Sequence, residues 1–355
     1  MKKAILITGG AGFIGSAVIR HILNNSNFKI INIDKLTYAS NLSSLKNYEK
    51  NKNYVFEKID ICNQKKMVSI FKKYKPQLVM HLAAETHVDR SINSANSFIK
   101  TNILGTYNLL EVSKEYFQNL NIKYKKKFRF HHVSTDEVYG DLKKKSPSAD
   151  EEFKYSPSSP YSASKASADH LVRSWFRTYK FPIIMSNCSN NYGPYQFPEK
   201  LIPLIILNAL EKKKLPVYGN GQQIRDWLYV DDHAEALFKI ITKGKVGETY
   251  NIGGNNQIKN INVVKIICNI LDKIKPLNIK NKKYSDLIVY VKDRPGHDKR
   301  YAIDIKKIKK QLKWHPRESF ETGIYKTLKW YMNKNNLDKN FGKKKYERKR
   351  LGLIK

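Results

Sequence analysis

Cysteine is scarce in this chain. Cys62, Cys188 and Cys268 lie far apart with no Cys-x-x-Cys spacing, which excludes a disulfide framework or a zinc site as the organising device and fits a reducing, cytoplasmic setting. Long apolar runs are also lacking. The longest, near Leu201 to Leu210, is too short to cross a bilayer, and Met1 to Lys3 leads straight into a strand pattern without signal-peptide architecture. Acid is in short supply: 31 Asp and Glu stand against 66 Lys and Arg, for a net charge of +35. Such a balance invites a nucleic-acid partner. Arginine, however, makes up only 11 of the basic residues. The lysines are scattered along the whole chain, with no helix-turn-helix, zinc-finger or aromatic-basic motif beside them. The charge is read as a solvated lysine-rich surface, so neither a specific nucleic acid nor a membrane is expected as a partner. No internal repeat is visible.

What is present has the rhythm of an α/β protein. Ala4 to Thr8 is a continuously apolar run, as expected of a buried parallel strand. It meets the glycine loop Gly9, Gly10, Gly12 and Gly15, and then the helical pattern Ser16 to Leu23. Glycines so spaced permit a tight turn, close approach of backbone to a pyrophosphate, and close packing of helix on strand. A second strand, Lys29 to Ile33, ends at Asp34. An acid about twenty residues past the loop can accept hydrogen bonds from a ribose and repels a 2′-phosphate, which favours NAD over NADP. Tyr54 to Ile59 reads as a third strand with Asp60 and Ile61 at its end, and Gln77 to Leu82 as a fourth ending in the small residues Ala83 and Ala84. Repetition of strand, helix and strand predicts a Rossmann-type, doubly wound parallel sheet. The loop Glu85 to Ser91 is unusually polar.

Strand Phe128 to Val133 runs into Ser134–Gly140, whose sequence is STDEVYG. Strand ends are where ligands bind in open α/β sheets. There Thr135, Asp136 and Glu137 offer a hydroxyl and two carboxylates, a set suited to removing one proton and donating another. A Lys-, Ser- and Pro-rich loop, Asp141 to Ser159, separates them from the helix that starts at Pro160. Tyr161 and Lys165 are one helical turn apart on it, so their side chains share a face, and a nearby ammonium is expected to favour the phenolate. Helices are expected over Ser97–Tyr116, Asp226–Ile241, Ile261–Leu271, Ile303–Leu312 and Phe320–Tyr331, with strands at Phe181–Ser186 and Glu248–Ile252. From Tyr192 the pattern becomes irregular and rich in proline. A smaller C-terminal α/β substrate-binding lobe is expected to begin there. The expected division is 1–191 with a returning segment, about 226–252, as the NAD-binding part; 192–225 and 253–333 as the smaller lobe; and 334–355, including the run Lys343 to Arg350, as a charged and poorly ordered tail.

With these residues in place the chain resembles the extended short-chain dehydrogenase/reductases, and among them the dTDP-glucose 4,6-dehydratase family. The resemblance runs from Lys3 to about Asn333 and rests on Asp34–Thr37, His81–Glu85, Thr135–Glu137, Ser189–Pro194, Arg225–Tyr229 and Asp293–Asp298. It implies that Tyr161 takes the proton of the sugar 4-hydroxyl while hydride passes from C4 to NAD. Lys165 then holds the nicotinamide ribose and Thr135 bonds the same hydroxyl. Glu137 removes the C5 proton, and protonated Asp136 donates to the departing C6 hydroxyl. Implied cofactor contacts are Gly9, Gly12, Phe13, Ile14, Gly15, Asp34, Lys35, Leu36, Thr37, Asp60, Ile61, Leu82, Ala83, Ala84, Thr101, Tyr161, Lys165 and Asn191. Implied substrate contacts are Thr86, Thr135, Asn190, Lys200, Leu201, Pro216, Tyr218, Arg225, Asn260, Arg294 and His297, with no metal. The substrate implied is dTDP-glucose. A homodimer pairing through Ser97–Tyr116 and Ser162–Tyr179 is implied as well. Two readings stay open at this point: a dehydratase or epimerase for another nucleotide sugar, and a non-catalytic NAD-binding protein.

Overall fold

The computed structural model describes residues 3–333 and 335–337; the expected tail, with Lys343–Arg350, lies outside the described residues. Seven parallel strands form the main sheet: β1 (Ala4–Thr8), β2 (Lys29–Asp34), β3 (Tyr54–Lys58), β4 (Leu78–His81), β5 (Arg129–Thr135), β6 (Ile183–Cys188) and, arriving later in the chain, β10 (Thr249–Ile252). Their spatial order is β10-β6-β5-β4-β1-β2-β3, so the order reverses between β1 and β4. That is the doubly wound arrangement, in which ligands bind over the strand ends at the reversal.

Alternation of side chains along each strand divides the core into two layers. Ile5, Ile7 and Ile30 face helices α1 (Phe13–Asn25) and α9 (Val230–Lys243), whereas Leu6, Ile31, Ile33 and Val79 face α2 (Gln64–Tyr74), α5 (Gly105–Gln118) and α7 (Pro160–Tyr179). Short helices α3 (Val88–Asn93), α4 (Asn96–Phe98) and α6 (Ile122–Lys125) lie between β4 and β5. A second apolar cluster is built by α8 (Leu201–Leu210), α10 (Asn260–Ile274) and α12 (Phe320–Met332). It packs with β8 (Leu215–Tyr218) and β9 (Ile224–Tyr229). The remaining elements are β7 (Asn190–Tyr192), β11 (Gln257–Lys259), β12 (Ile288–Val291) and α11 (Lys306–Leu312). Strands β11, β9 and β7 form one small sheet, and β12 and β8 another.

Four expectations from the sequence are corrected. Asp226 does not begin a helix; it lies inside β9, where its carboxylate accepts the backbone N–H groups of Gly254 (3.0 Å) and Asn256 (2.6 Å), and the helix starts at Val230. Ile303 and Asp304 precede their helix: Ile303 bridges to Ala149, and the Asp304 carboxylate accepts the Lys306 N–H. The stretch Ser97–Tyr116 is not one regular helix, since Ile99–Leu104 forms a wider π-helical turn between α4 and α5. Within the irregular region after Tyr192, Leu201–Leu210 is helical; Pro203 sits in its first turn, where no N–H is needed.

The β1–α1 turn tolerates no side chain at Gly9. This residue has φ +75°, and a Cβ there would stand 2.7 Å from the Ala83 nitrogen; at Gly15 a Cβ would stand 2.2 Å from the Gly9 oxygen. Gly9→Ala is therefore expected to destabilise the protein by about 2 kcal/mol, from the strained backbone and the clash together. Thermal unfolding checks this, and a variant that melts with the parent would show that the turn relaxes freely.

Candidate functional site

One cavity of about 570 Å³ opens over the ends of β1, β2, β4, β5 and β6 and is walled on the other side by the second cluster of elements. Its lining collects the expected residues: the loop Gly9, Gly12, Phe13, Ile14 and Gly15; Asp34, Lys35 and Thr37; Asp60 and Ile61; Leu82, Ala83, Ala84 and Thr86; Thr101; Thr135, Asp136 and Glu137; Tyr161 and Lys165; Asn190 and Asn191; Lys200 and Leu201; Pro216 and Tyr218; Arg225, Asn260, Arg294 and His297. Of the expected set, Leu36 alone lies outside that lining. It takes φ +62° and gives its N–H to Asp34 Oδ1 at 2.8 Å. Sequence reasoning did not pick out Asp89, Cys188, Glu199, Trp227 or Tyr301, which also line the cavity. Asp89 lay within the polar loop already noted, and Glu199 adjoins Lys200; no local pattern marks Tyr301.

The dinucleotide end fits NAD. Helix α1 begins at Gly12 with no side chain capping it and no acid in its first turn, which leaves a helix N-terminus to receive a pyrophosphate. Asp34 stands at the end of β2. Its Oδ2 accepts the Ala11 N–H at 3.0 Å and its Oδ1 accepts the Ser40 hydroxyl at 3.0 Å, so it braces the glycine loop while keeping negative charge where a 2′-phosphate would fall. Lys35 donates to the Thr101 hydroxyl at 3.0 Å, tying the β2 end to the helix beyond β4.

The reacting end is nearly dry. Thr135 is the last residue of β5, and Asp136 and Glu137 follow in a single 3-10 turn, which the Thr135 hydroxyl caps by accepting the Glu137 N–H at 3.3 Å. Burial, and then the neighbouring Glu137 charge, hold the Asp136 carboxyl well above the usual range, which favours its protonated form. Glu137 is also raised by burial, but Arg294, Lys200 and Arg225 act against that rise. The neighbouring cations thus act mainly on Glu137, and the neighbouring carboxylates on Asp136.

Tyr161 is 7 % exposed and its phenol is raised well above its ordinary value, by burial first and Glu137 second. This corrects the expectation that Lys165 lowers it here. The Lys165 ammonium donates instead to the Val133 carbonyl at 2.9 Å, and burial lowers its own pKa against the pull of Asp169.

On the far wall, the Arg225 guanidinium donates to the Ile224 and Asp298 carbonyls and lies 4.1 Å from the Tyr301 ring centre. Tyr301 donates to Asp298 and, at 3.5 Å, to Glu137. Lys200 donates to the Thr86 carbonyl at 3.0 Å. Asp136 Oδ2, Asn190 Oδ1, Asn260 Oδ1 and Arg294 Nε are buried without a hydrogen-bond partner among the described residues. Such atoms concentrated in one cavity point to a polar ligand that completes them.

The raised Asp136 pKa has a consequence for stability. The folded state keeps a proton that the unfolded chain releases above about pH 4, so this group costs stability increasingly as pH rises toward its folded pKa. Asp136→Asn removes that cost. Its melting temperature is expected to equal or exceed the parent's at neutral pH, with a gap that widens from pH 5 to 8 in a melting series; a gap that stays constant would mean that Asp136 is already ionised in the fold over that range.

Comparison with known proteins agrees with this geometry. The sequence model of the family described as GDP-mannose 4,6 dehydratase matches residues 6–327. The chain is 60 % identical over 344 residues to a dTDP-glucose 4,6-dehydratase of Shigella flexneri, covering 95 % of this chain and 94 % of that protein. It is 59 % identical over 361 residues to one of Escherichia coli, covering 99 % of each. The solved structure of dTDP-glucose 4,6-dehydratase from Bacillus anthracis in complex with NAD superimposes with a TM-score of 0.82 at 44 % identity, covering 94 % of this chain and 97 % of that one. On the doubly wound sheet, the carboxyl pair at the end of β5 and full-length identity of this order, the chain belongs to the dTDP-glucose 4,6-dehydratases of the extended short-chain dehydrogenase/reductase superfamily.

Proposed function

We propose that the protein converts dTDP-glucose to dTDP-4-keto-6-deoxy-glucose and water, an NAD-dependent hydro-lyase step in deoxysugar biosynthesis. The observation that carries this reading is the carboxyl pair: Asp136, held well above its ordinary pKa by burial, and a cation-facing Glu137, adjacent at one strand end and within the same cavity as Tyr161. NAD, when bound, supplies the acceptor and later the donor of the hydride, and its oxidised ring brings a positive charge into the cleft. Gly9, Gly12 and Gly15, with Phe13 and Ile14, would hold its pyrophosphate; Asp34 would hold the adenosine ribose, and Lys165 and Asn191 the nicotinamide end.

The chain's own groups divide the proton work. Tyr161 takes the proton from the sugar 4-hydroxyl, with Thr135 bonding the same oxygen; the positive nicotinamide ring, when bound, would offset the burial that raises the phenol. Oxidation at C4 acidifies the C5–H, and Glu137 removes that proton. Asp136 gives its proton to the C6 oxygen, which leaves as water, and return of the hydride to C6 together with a proton to C5 completes the 6-deoxy product. A single carboxyl in a fixed protonation state cannot act as base at C5 and acid at C6 in the same elimination, so the opposite states of the pair are the property the reaction requires. Arg225, Arg294 and Lys200 would neutralise the diphosphate, and Tyr218 and Pro216 would border the base.

In this reading the elements packed around α8, α10 and α12 serve as the nucleotide-sugar lobe, and the sheet with its helices as the NAD-binding lobe. We further propose a homodimer paired through α5 and α7, which is supported by the exposure of Ile99, Leu104, Tyr107 and Tyr179 beside and on those helices. Three free cysteines support a reducing, cytoplasmic setting.

Incubation of the purified protein with dTDP-glucose, followed by mass spectrometry, is expected to show loss of one water without any added hydride donor. Glu137→Gln is expected to slow that loss by about a hundredfold or more while NAD stays bound, as removal of a general base does. Turnover of a UDP-, GDP- or CDP-sugar in place of dTDP-glucose would keep the mechanism and discard the base assignment; no turnover of any of them would discard both.

A further inference from the structure

Asp89 has no part in the chemistry derived above, yet it is one of the most constrained carboxylates in the protein. It lies on α3, at the end of the polar loop that follows β4, and is only 4 % exposed. Both of its oxygens are taken by residues from the opposite wall of the cavity. Oδ1 accepts from Arg294 Nη1 at 3.1 Å, and Oδ2 accepts from the Tyr218 hydroxyl at 2.7 Å. Tyr218 ends β8 and Arg294 follows β12, the paired strands beside the second apolar cluster, whereas α3 is anchored to the main sheet. The contact therefore spans the cleft.

Arg294 also lies close enough to Glu137 to favour its charged form, so the guanidinium is shared between two carboxylates. Its Nε keeps no hydrogen-bond partner among the described residues. The direct hydrogen bond to Asp89 sets where that shared side chain rests. The same carboxylate fixes the Tyr218 phenol, whose ring meets His297 edge-on at 6.2 Å between centres.

We propose that Asp89 is a positioning residue for nucleotide recognition: it fixes Arg294 and Tyr218 from across the cleft, so that the guanidinium meets the diphosphate and the phenol ring meets the base. This rests on the nucleotide-sugar reading of the cavity. In this role Asp89 acts through Arg294 and Tyr218, not on the reacting carbons or the cofactor. Its loss weakens the hold on the nucleotide and leaves the chemical step nearly intact.

The test is steady-state kinetics with dTDP-glucose, together with calorimetric titration of dTDP into the NAD-loaded protein, for the parent, Asp89→Asn, Tyr218→Phe, Arg294→Lys and the double variant D89N/R294K. Asp89→Asn is expected to raise both KM and the Kd for dTDP about tenfold, as loss of one charge-assisted hydrogen bond would, with kcat within about threefold of the parent. The double variant is expected to bind dTDP little worse than Arg294→Lys alone, because both changes remove the same orientation. Should Asp89→Asn fail to fold, Tyr218→Phe, which deletes only the hydroxyl facing Asp89, is expected to weaken dTDP about threefold, and an unchanged affinity overturns the proposal. Unchanged KM and dTDP affinity in a folded Asp89→Asn, a loss confined to kcat, or losses that simply add in the double variant also overturn it. A parent that turns over dTDP-glucose would, in those cases, leave the site reading standing. A parent that neither turns over dTDP-glucose nor binds dTDP overturns both.

Discussion

Helix α7 is fixed to strand β5 by buried hydrogen bonds, and the geometry of the site follows from them. Lys165 donates to the Val133 carbonyl at 2.9 Å. One turn further, Asp169 accepts from His132 Nε2 at 3.0 Å, Ser134 Oγ at 2.8 Å and the Tyr155 hydroxyl at 3.0 Å. Two successive turns of the helix thus engage three consecutive residues of the strand. Asp169 is fully buried, and a carboxylate survives there only because three donors replace water. A slide of the helix along the strand would leave that charge unpaired, so the register is well defined. Tyr161, one turn before Lys165, is thereby set over the strand end that carries Thr135, Asp136 and Glu137. These side chains are aligned by the polar core and not by surface loops, as the proposed reaction requires.

The electrostatic asymmetry of the carboxyl pair comes from the meeting of two halves. Both carboxyls are raised by burial, and Asp136 is raised further by its neighbour. What separates them is Arg294, Lys200 and Arg225, which lower Glu137 from the opposite wall. For Asp136, the carboxylates Glu137 and Asp226 outrank the single guanidinium of Arg225. The backbone places the two acids side by side, and the facing wall makes their electrostatic surroundings unequal. The chain's net charge of +35 has little part in this, because the cations that matter are few and include two of its scarce arginines.

Much of this was legible in the sequence, for identifiable reasons. The parallel strands are continuous apolar runs, the glycine loop sits between a strand and a helix, and Tyr161 and Lys165 are a helical turn apart; each is a local pattern with a local cause. Asp226 was misread because a polar residue before Val230 resembles a helix start, whereas its carboxylate serves the backbone of Gly254 and Asn256, thirty residues away in the chain. Tyr301 and Asp89 went unmarked because nothing local distinguishes them; their roles arise only when distant segments meet, as Tyr301 meets Arg225 and Asp89 meets Arg294. The Tyr161 phenol was expected to be lowered by Lys165. That failed because burial and Glu137 are properties of the assembled cavity, and they outweigh a spacing read along one helix.

The unpartnered polar atoms of the cavity connect stability to recognition. Asp136 Oδ2, Asn190 Oδ1, Asn260 Oδ1 and Arg294 Nε are buried without hydrogen-bond partners among the described residues. Each such group costs roughly 1–3 kcal/mol when it is left unsatisfied. An apolar ligand of the same size would leave those costs in place. A hydroxyl-rich sugar bearing a diphosphate and a base offers donors to the two asparagine oxygens, a hydroxyl oxygen to the Asp136 carboxyl and an acceptor to the guanidinium, so its binding recovers what folding gave up. The same atoms that weaken the empty cleft therefore discriminate among its ligands, because a molecule lacking the matching hydroxyl or phosphate leaves a specific buried group still unpaired.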